Sequence, residues 1–269
     1  MITKRAARWS KLALLALAAG VFALAGATIS PGYAAPANDT QVSIVQGVPD
    51  KDFDVVIDQG TPIAHDVKPA SPSGPFPVQP GSHTVTFSQN GNPVVQNSFT
   101  IKQGSQIDLV PHLLASPSSP PVVMAYDKYD GVTVAKGKAL LVVSHVAAAP
   151  PLDIRVNGEQ VAGKKKVFFS NIANRESSQQ SVPSGTYKVV IVPTRKARPI
   201  YYGPVPLTVQ GGTIAHLYVV GEVNKKTLTV ALRVLTAKKA GSTKPSEINT
   251  GTGGQAFGHS PLLEVNLVR

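Results

Sequence analysis

One sequence pattern runs through this chain twice, and that limits the fold more than any other feature. Val42-Ser43-Ile44-Val45-Gln46-Gly47-Val48-Pro49 precedes Phe53-Asp54-Val55-Val56-Ile57-Asp58. About 99 residues later, Leu141-Val142-Val143-Ser144-His145-Val146 precedes Leu152-Asp153-Ile154-Arg155-Val156-Asn157-Gly158. In that register Gln46 falls opposite His145, Asp54 opposite Asp153, and Ile57 opposite Val156. Further on, Pro80-Gly81-Ser82-His83-Thr84-Val85 returns as Ser184-Gly185-Thr186-Tyr187-Lys188-Val189, so His83 falls opposite Tyr187. Thr100-Ile101-Lys102-Gln103-Gly104-Ser105-Gln106-Ile107 returns as Thr208-Val209-Gln210-Gly211-Gly212-Thr213-Ile214-Ala215. The order is kept and the spacing drifts by a few residues. That is the signature of a tandem duplication of a unit of roughly 95 residues.

Each unit reads as short strands. Thr186 to Val192 is rich in β-branched and aromatic residues. Thr84, Thr86 and Ser88 alternate with Val85 and Phe87, the period of a half-buried strand. Pro80-Gly81, Asn90-Gly91, Gln103-Gly104, Asn157-Gly158 and Gly211-Gly212 mark turns between such runs. No amphipathic helical pattern stands out. The expected fold class is all-β: two tandem immunoglobulin-like antiparallel β-sandwich domains. The expected boundaries are a first repeat at 38–131, a second at 132–235, and a flexible Gly/Ser/Thr-rich tail at 236–269. The joint near Asp130 to Lys138 is short, which predicts that the two units pack on each other or share a stiff hinge.

Residues 1–34 read as a signal peptide. Lys4, Arg5, Arg8 and Lys11 form a basic start, Leu12 to Ala27 is uncharged and apolar or small, and small residues surround the expected cut after Ala34. The reading predicts a secreted or cell-wall-associated protein with no integral membrane span once the signal is removed. The 269 residues include no cysteine, which excludes disulfides, cysteine-ligated metals and thiol catalysis. The net charge of +11 hides an asymmetry. The first repeat holds four lysines against nine aspartates, a balance of −5, whereas the second holds 14 basic residues against four acids, a balance of +10.

The run His145-Val146-Ala147-Ala148-Ala149-Pro150-Pro151-Leu152-Asp153-Ile154-Arg155-Val156-Asn157-Gly158, followed by Pro183-Ser184-Gly185-Thr186-Tyr187-Lys188-Val189, carries a family resemblance. Residues 41–235 resemble the secreted bacterial family called domain of unknown function 4397, in its tandem actinobacterial form. The first unit departs from the pattern at Gln46 and His83. The resemblance implies secretion and a β-sandwich, and it brings no established activity. It marks His145, Asp153, Gly158, Gly185 and Tyr187 as structural motif residues.

No metalloprotease, serine-hydrolase or phosphate-loop motif is present, so no catalytic, cofactor or metal site is expected. Two weaker constellations remain. His145, His216 and Asp153 form the one set from which an unrecognised enzyme or metal site would be built. Asp50, Asp52 and Asp54 alternate, which suits a charged strand edge more simply than a calcium site. The stronger surface signal is cationic. Lys164-Lys165-Lys166, Arg195, Lys196, Arg198 and Lys225-Lys226 fall in turns of the second unit and would attract a polyanion if they share one end of the sandwich. The functional expectation is a non-catalytic envelope protein with an adhesive, structural or protein-interaction role. The alternative is a module that binds an anionic envelope polymer through those turns. The partners are then a cell-wall or other anionic polymer, or another envelope protein, and not nucleic acid.

Overall fold

The computed structural model describes residues 40–127, 132–156 and 166–239. The segment 1–34 expected to be a signal peptide, Gly158, Lys164, Lys165 and the chain from 240 onward lie outside the described residues. Everything described belongs to one compact unit, which clusters within 38–269.

The first repeat forms eight strands: β1 (Gln41–Val45), β2 (Phe53–Ile57), β3 (Ala64–Val67), β4 (Pro72–Pro77), β5 (Gly81–Gln89), β6 (Asn92–Ile101), β7 (Gln106–His112) and β8 (Val122–Tyr126). A short β9 (Thr133–Val134) leads into the second repeat. That repeat consists of β10 (Lys138–His145), β11 (Leu152–Val156), β12 (Lys166–Ile172), β13 (Ser177–Pro183), β14 (Gly185–Pro193), β15 (Tyr202–Val209), β16 (Thr213–Val220) and β17 (Thr229–Thr236). Among the described residues there is no helix, and so none long and apolar enough to cross a membrane.

The duplication is visible strand for strand. Sheets β4-β1-β7-β8 and β3-β2-β5-β6 make the first sandwich, and sheets β13-β10-β16-β17 and β12-β11-β14-β15 make the second. The antiparallel sandwich expected for each unit is present, with one parallel pair in each: β1 with β7, and β10 with β16. A last element, β18 (Lys238–Lys239), pairs in parallel with β9, so the first residues of the segment read as tail are tied to the body.

Inward residues of facing sheets build each core. Val42, Ile44, Phe53, Val55, Phe87, Ile101 and Leu109 fill the first. Leu141, Leu152, Ile154, Phe169, Tyr187, Ile191 and Leu217 fill the second. The central strands β1, β7, β10 and β16 are buried almost continuously rather than on alternate residues. Burial on both faces produces such a run, because each side of the sheet packs on something. The outer faces of the β1-β7-β8 and β10-β16-β17 sheets meet each other through Val45, Val110, Tyr126, Tyr218, Val220 and Ala231. Close approach there needs a glycine: a Cβ on Gly47 would sit 2.8 Å from the Pro111 carbonyl oxygen and 3.3 Å from Val220.

This interface is built like that of a two-fold dimer. Ile44 pairs with Leu109 and Val143 with Leu217, which makes Asp108 and His216 equivalent positions. Their antiparallel partners, Tyr126 and Arg233, are equivalent too. Asp108 meets Arg233 across the interface at 2.7 Å, and His216 meets Tyr126 edge to face with ring centroids 5.7 Å apart. The same pair of positions is used twice, as in an isologous contact. The two copies have since acquired different chemistry.

Candidate functional site

Three positions shared by the repeats turn out to hold loops rather than to carry chemistry. Ala147 N–H donates to His145 Nδ1 at 3.3 Å, and His145 Nε2 lies 3.2 Å from the Pro150 carbonyl oxygen. In the first repeat Val48 N–H donates to Gln46 Oε1 at 2.8 Å, and Gln46 Nε2 donates to the Lys51 carbonyl at 2.9 Å. The amide and the imidazole therefore make the same two bonds, to residues two and five positions on. Burial drives the His145 pKa down to about 4, so the ring is neutral at pH 7.

Asp153 Oδ1 accepts the Asn171 N–H at 3.0 Å, and its Oδ2 accepts the Arg195 N–H at 3.0 Å. Its counterpart Asp54 accepts the Asp66 N–H at 3.2 Å. Asn171 and Asp66 both have left-handed backbones, φ 55° and 48°, in which Asn and Asp are at home. Tyr187 Oη donates to the Pro183 carbonyl at 2.6 Å, four residues upstream, a tyrosine-corner bond. His83 Nε2 makes the equivalent bond to the Gln79 carbonyl at 2.7 Å, and its Nδ1 faces Asp58 Oδ2 at 2.9 Å. The Asp58 hydrogen bond raises the His83 pKa, while the Thr84 N–H and then His83 lower that of Asp58. Gly185 starts β14 just before this corner, at φ 157°.

His145, His216 and Asp153 do not converge. His216 Nε2 lies 2.7 Å from Ser144 Oγ, its ring stacks on Tyr218 at 3.8 Å, and Tyr218 Oη donates to Asp108 Oδ2 at 2.7 Å. Ser144 Oγ also meets Ser177 Oγ at 2.6 Å. Apart from the half-buried Ser177 this network is closed to solvent: Asp108, Ser144 and Tyr218 are wholly buried, and burial pushes the Tyr126 hydroxyl beside it up to about 12. A Ser–His pair with no access to solvent is an interface brace and lacks a substrate path. Sequence reasoning missed Asp108, Tyr218 and Arg233 as partners, since nothing local links residues 110 positions apart.

No group of three or more His, Asp or Glu suited to a metal occurs among the described residues. Asp50 and Asp52 precede β2 rather than sharing its face with Asp54. Asp52 pairs with Lys68, and Asp54 with His65.

The cationic turns are partly assembled. Lys166 is placed as the first residue of β12. Arg195, Lys196 and Arg198 lie in the β14–β15 loop, and Lys225 and Lys226 in the β16–β17 loop. These two loops share an end of the second sandwich, where Pro199, Ile200, Tyr201, Val223, Lys226 and Leu228 line a groove of about 390 Å³. Lys225 is tied to the buried Glu222 at 3.1 Å. Among the described residues, Arg195, Lys196, Arg198 and Lys226 have no side-chain ion pair. Ile200, at 42% exposure, is one of the few exposed large apolar side chains. The sequence reading singled out the cations of both loops but not the groove, because its apolar walls come together only in the fold.

The family model described as Domain of unknown function (DUF4397) matches residues 40–155. These residues belong to that family. The DUF4397 match takes in the whole first repeat and runs into β11 of the second, and beyond it the strand order continues the same plan. No curated protein matches the chain. Among solved structures the chain is similar to the Bacillus anthracis TIE protein, at 14% identity and a TM-score of 0.25, over 68% of this chain and 34% of that one. The chain thus spans about a third of that structure, and the sandwich assignment rests on the sheets themselves.

Proposed function

We propose that the chain is a non-catalytic, secreted or cell-wall-associated protein whose two fused sandwiches form a stiff body for adhesion or for contact with another envelope protein. One observation carries the reading. The side chains with catalytic potential are bonded to backbone or to the inter-repeat interface: His145 to Pro150, Asp153 to Asn171 and Arg195, and His216 to Ser144. The segment 1–34 adds the address, and the fused interface suits a part that transmits load rather than one that opens.

A second reading is favoured by the charges. Three surface carboxylates of the acidic repeat are used within it, Asp52 by Lys68, Asp54 by His65 and Asp58 by His83, while the exposed Asp50, Asp66 and Asp127 are in no salt bridge among the described residues. The exposed cations Arg195, Lys196 and Arg198 of the β14–β15 loop are likewise in none. Their clustering on one loop supports binding of an anionic envelope polymer. The test is sedimentation of the purified chain with isolated bacterial envelopes across a salt series. Cosedimentation at any salt supports the envelope role, and its loss at high salt supports the anionic polymer. Failure to sediment at every salt rejects both.

A further inference from the structure

The second repeat has an insertion where the first has a tight turn. β5 and β6 are joined by Asn90 and Gly91 alone, both with positive φ, as a two-residue hairpin requires. The equivalent β14 and β15 are joined by residues 194–201. That longer loop folds beside the β16–β17 loop, and the groove between them exists only because of it.

The lining combines two kinds of surface that seldom serve one structural purpose. Pro199, Ile200, Val223 and Leu228 are apolar, and Tyr201 adds a half-buried ring whose backbone N–H is fixed to the Ile191 carbonyl at 2.9 Å. Lys226 stands in the wall, and Arg198 directly precedes Pro199. A pocket of a few hundred Å³ with an apolar floor and a few placed charges is the form of a small-ligand site. Charge complementarity demands an anion, and the arginine fork suits an oxyanion in particular. An apolar floor with a ring demands a flat apolar face on that anion. Simple polyphosphate has none, whereas a sugar ring presents its C–H face to an aromatic side chain.

We infer that the groove between the β14–β15 and β16–β17 loops binds an acidic glycan, with a sugar face on Tyr201 and Pro199 and a carboxylate reached by Lys226 and Arg198. This deepens the anionic-polymer reading and names where and what it binds. The experiment is titration of the purified chain with oligogalacturonate, with polyphosphate as a charged polymer without rings and dextran as a glycan without charge. Oligogalacturonate is expected to bind at least tenfold more tightly than either.

Lys226→Ala and Arg198→Ala should each weaken it by about tenfold or more, the size of one charge-assisted hydrogen bond. Tyr201→Leu, which keeps the apolar volume, should weaken oligogalacturonate and leave polyphosphate unchanged. Ile200→Asp, at an exposed position that does not threaten folding, should abolish glycan binding. Equal binding of polyphosphate, indifference to Tyr201→Leu and Ile200→Asp, or no oligogalacturonate binding would each overturn the assignment. Envelope sedimentation with no glycan binding leaves the envelope role standing and removes the groove from it. Glycan binding without envelope sedimentation does the reverse.

Discussion

Just after strand β1 the first repeat has Gln46, and at the end of β10 the second has His145, and both side chains tie the equivalent two backbone groups. At the corner formed by the first residues of β5 and β14 the roles reverse. The first repeat there uses the titratable His83 and the second uses Tyr187. The bond is kept and the residue type changes, because the loop needs a donor or acceptor at a given place and several side chains can put one there. What does change is the response to pH. At this corner the first repeat has a half-buried titratable ring paired with a carboxylate, where the second has a tyrosine. The two copies also diverge at the hairpin tips, where the framework tolerates length.

The largest effect is expected where the copies have become different halves of one contact. Asp108→Ala leaves Arg233, 11% exposed, as an unpaired charge in the interface, and should cost about 3–5 kcal/mol. Urea unfolding would read this as a lower midpoint. A change under 1 kcal/mol would mean that the interface rests on its apolar contacts alone.

The next effect is acid sensitivity. His145 and His112 both have folded pKa values lowered to about 4 by burial, against 6.5 unfolded. Below pH 6.5 the unfolded chain binds protons that the folded chain refuses, so stability is lost as pH falls from 6.5 toward 4. Each ring should account for about 3 kcal/mol by pH 4. His145→Gln, which makes the second repeat like the first, should remove its share of that slope and leave stability at pH 7 nearly unchanged. A slope that persists in full would show that the glutamine and the imidazole are not interchangeable.

Gly47→Ala tests the close approach of the repeats. Its Cβ would meet the Pro111 carbonyl and Val220, so a loss of about 1–3 kcal/mol is expected. At the equivalent position the second repeat has the buried Val146, so crowding is expected on one side of the pseudo-two-fold only. An unchanged melting temperature would mean that both the Pro111 carbonyl of the same repeat and Val220 of the other give way to the added methyl.

The smallest effect concerns the corners. Tyr187→Phe removes one hydrogen bond and should cost about 1 kcal/mol. His83 contributes in the opposite pH direction to His145. Its folded pKa is raised by Asp58, so its contribution is fully present below pH 6.5 and is lost as pH rises through the folded value. An NMR titration should find the His83 ring above the ordinary histidine range, and Asp58→Asn should return it there.

Much of this was legible in the chain itself. The duplication, the Asn90-Gly91 turn and the pairings of Gln46 with His145, Asp54 with Asp153 and His83 with Tyr187 are local or repeat at fixed spacing. Backbone propensity and side-chain reach act over a few residues, so sequence alone determined the strands and the braces that end them. The contact of Asp108 with Tyr218 and Arg233, and the meeting of residues 199–201 with 223–228, were decided by tertiary structure. Periodicity reports that a face is buried but not against what. β16, and β7 despite its Asp108 and His112, are buried almost continuously, and only folding selects the other repeat as the cover for their second face.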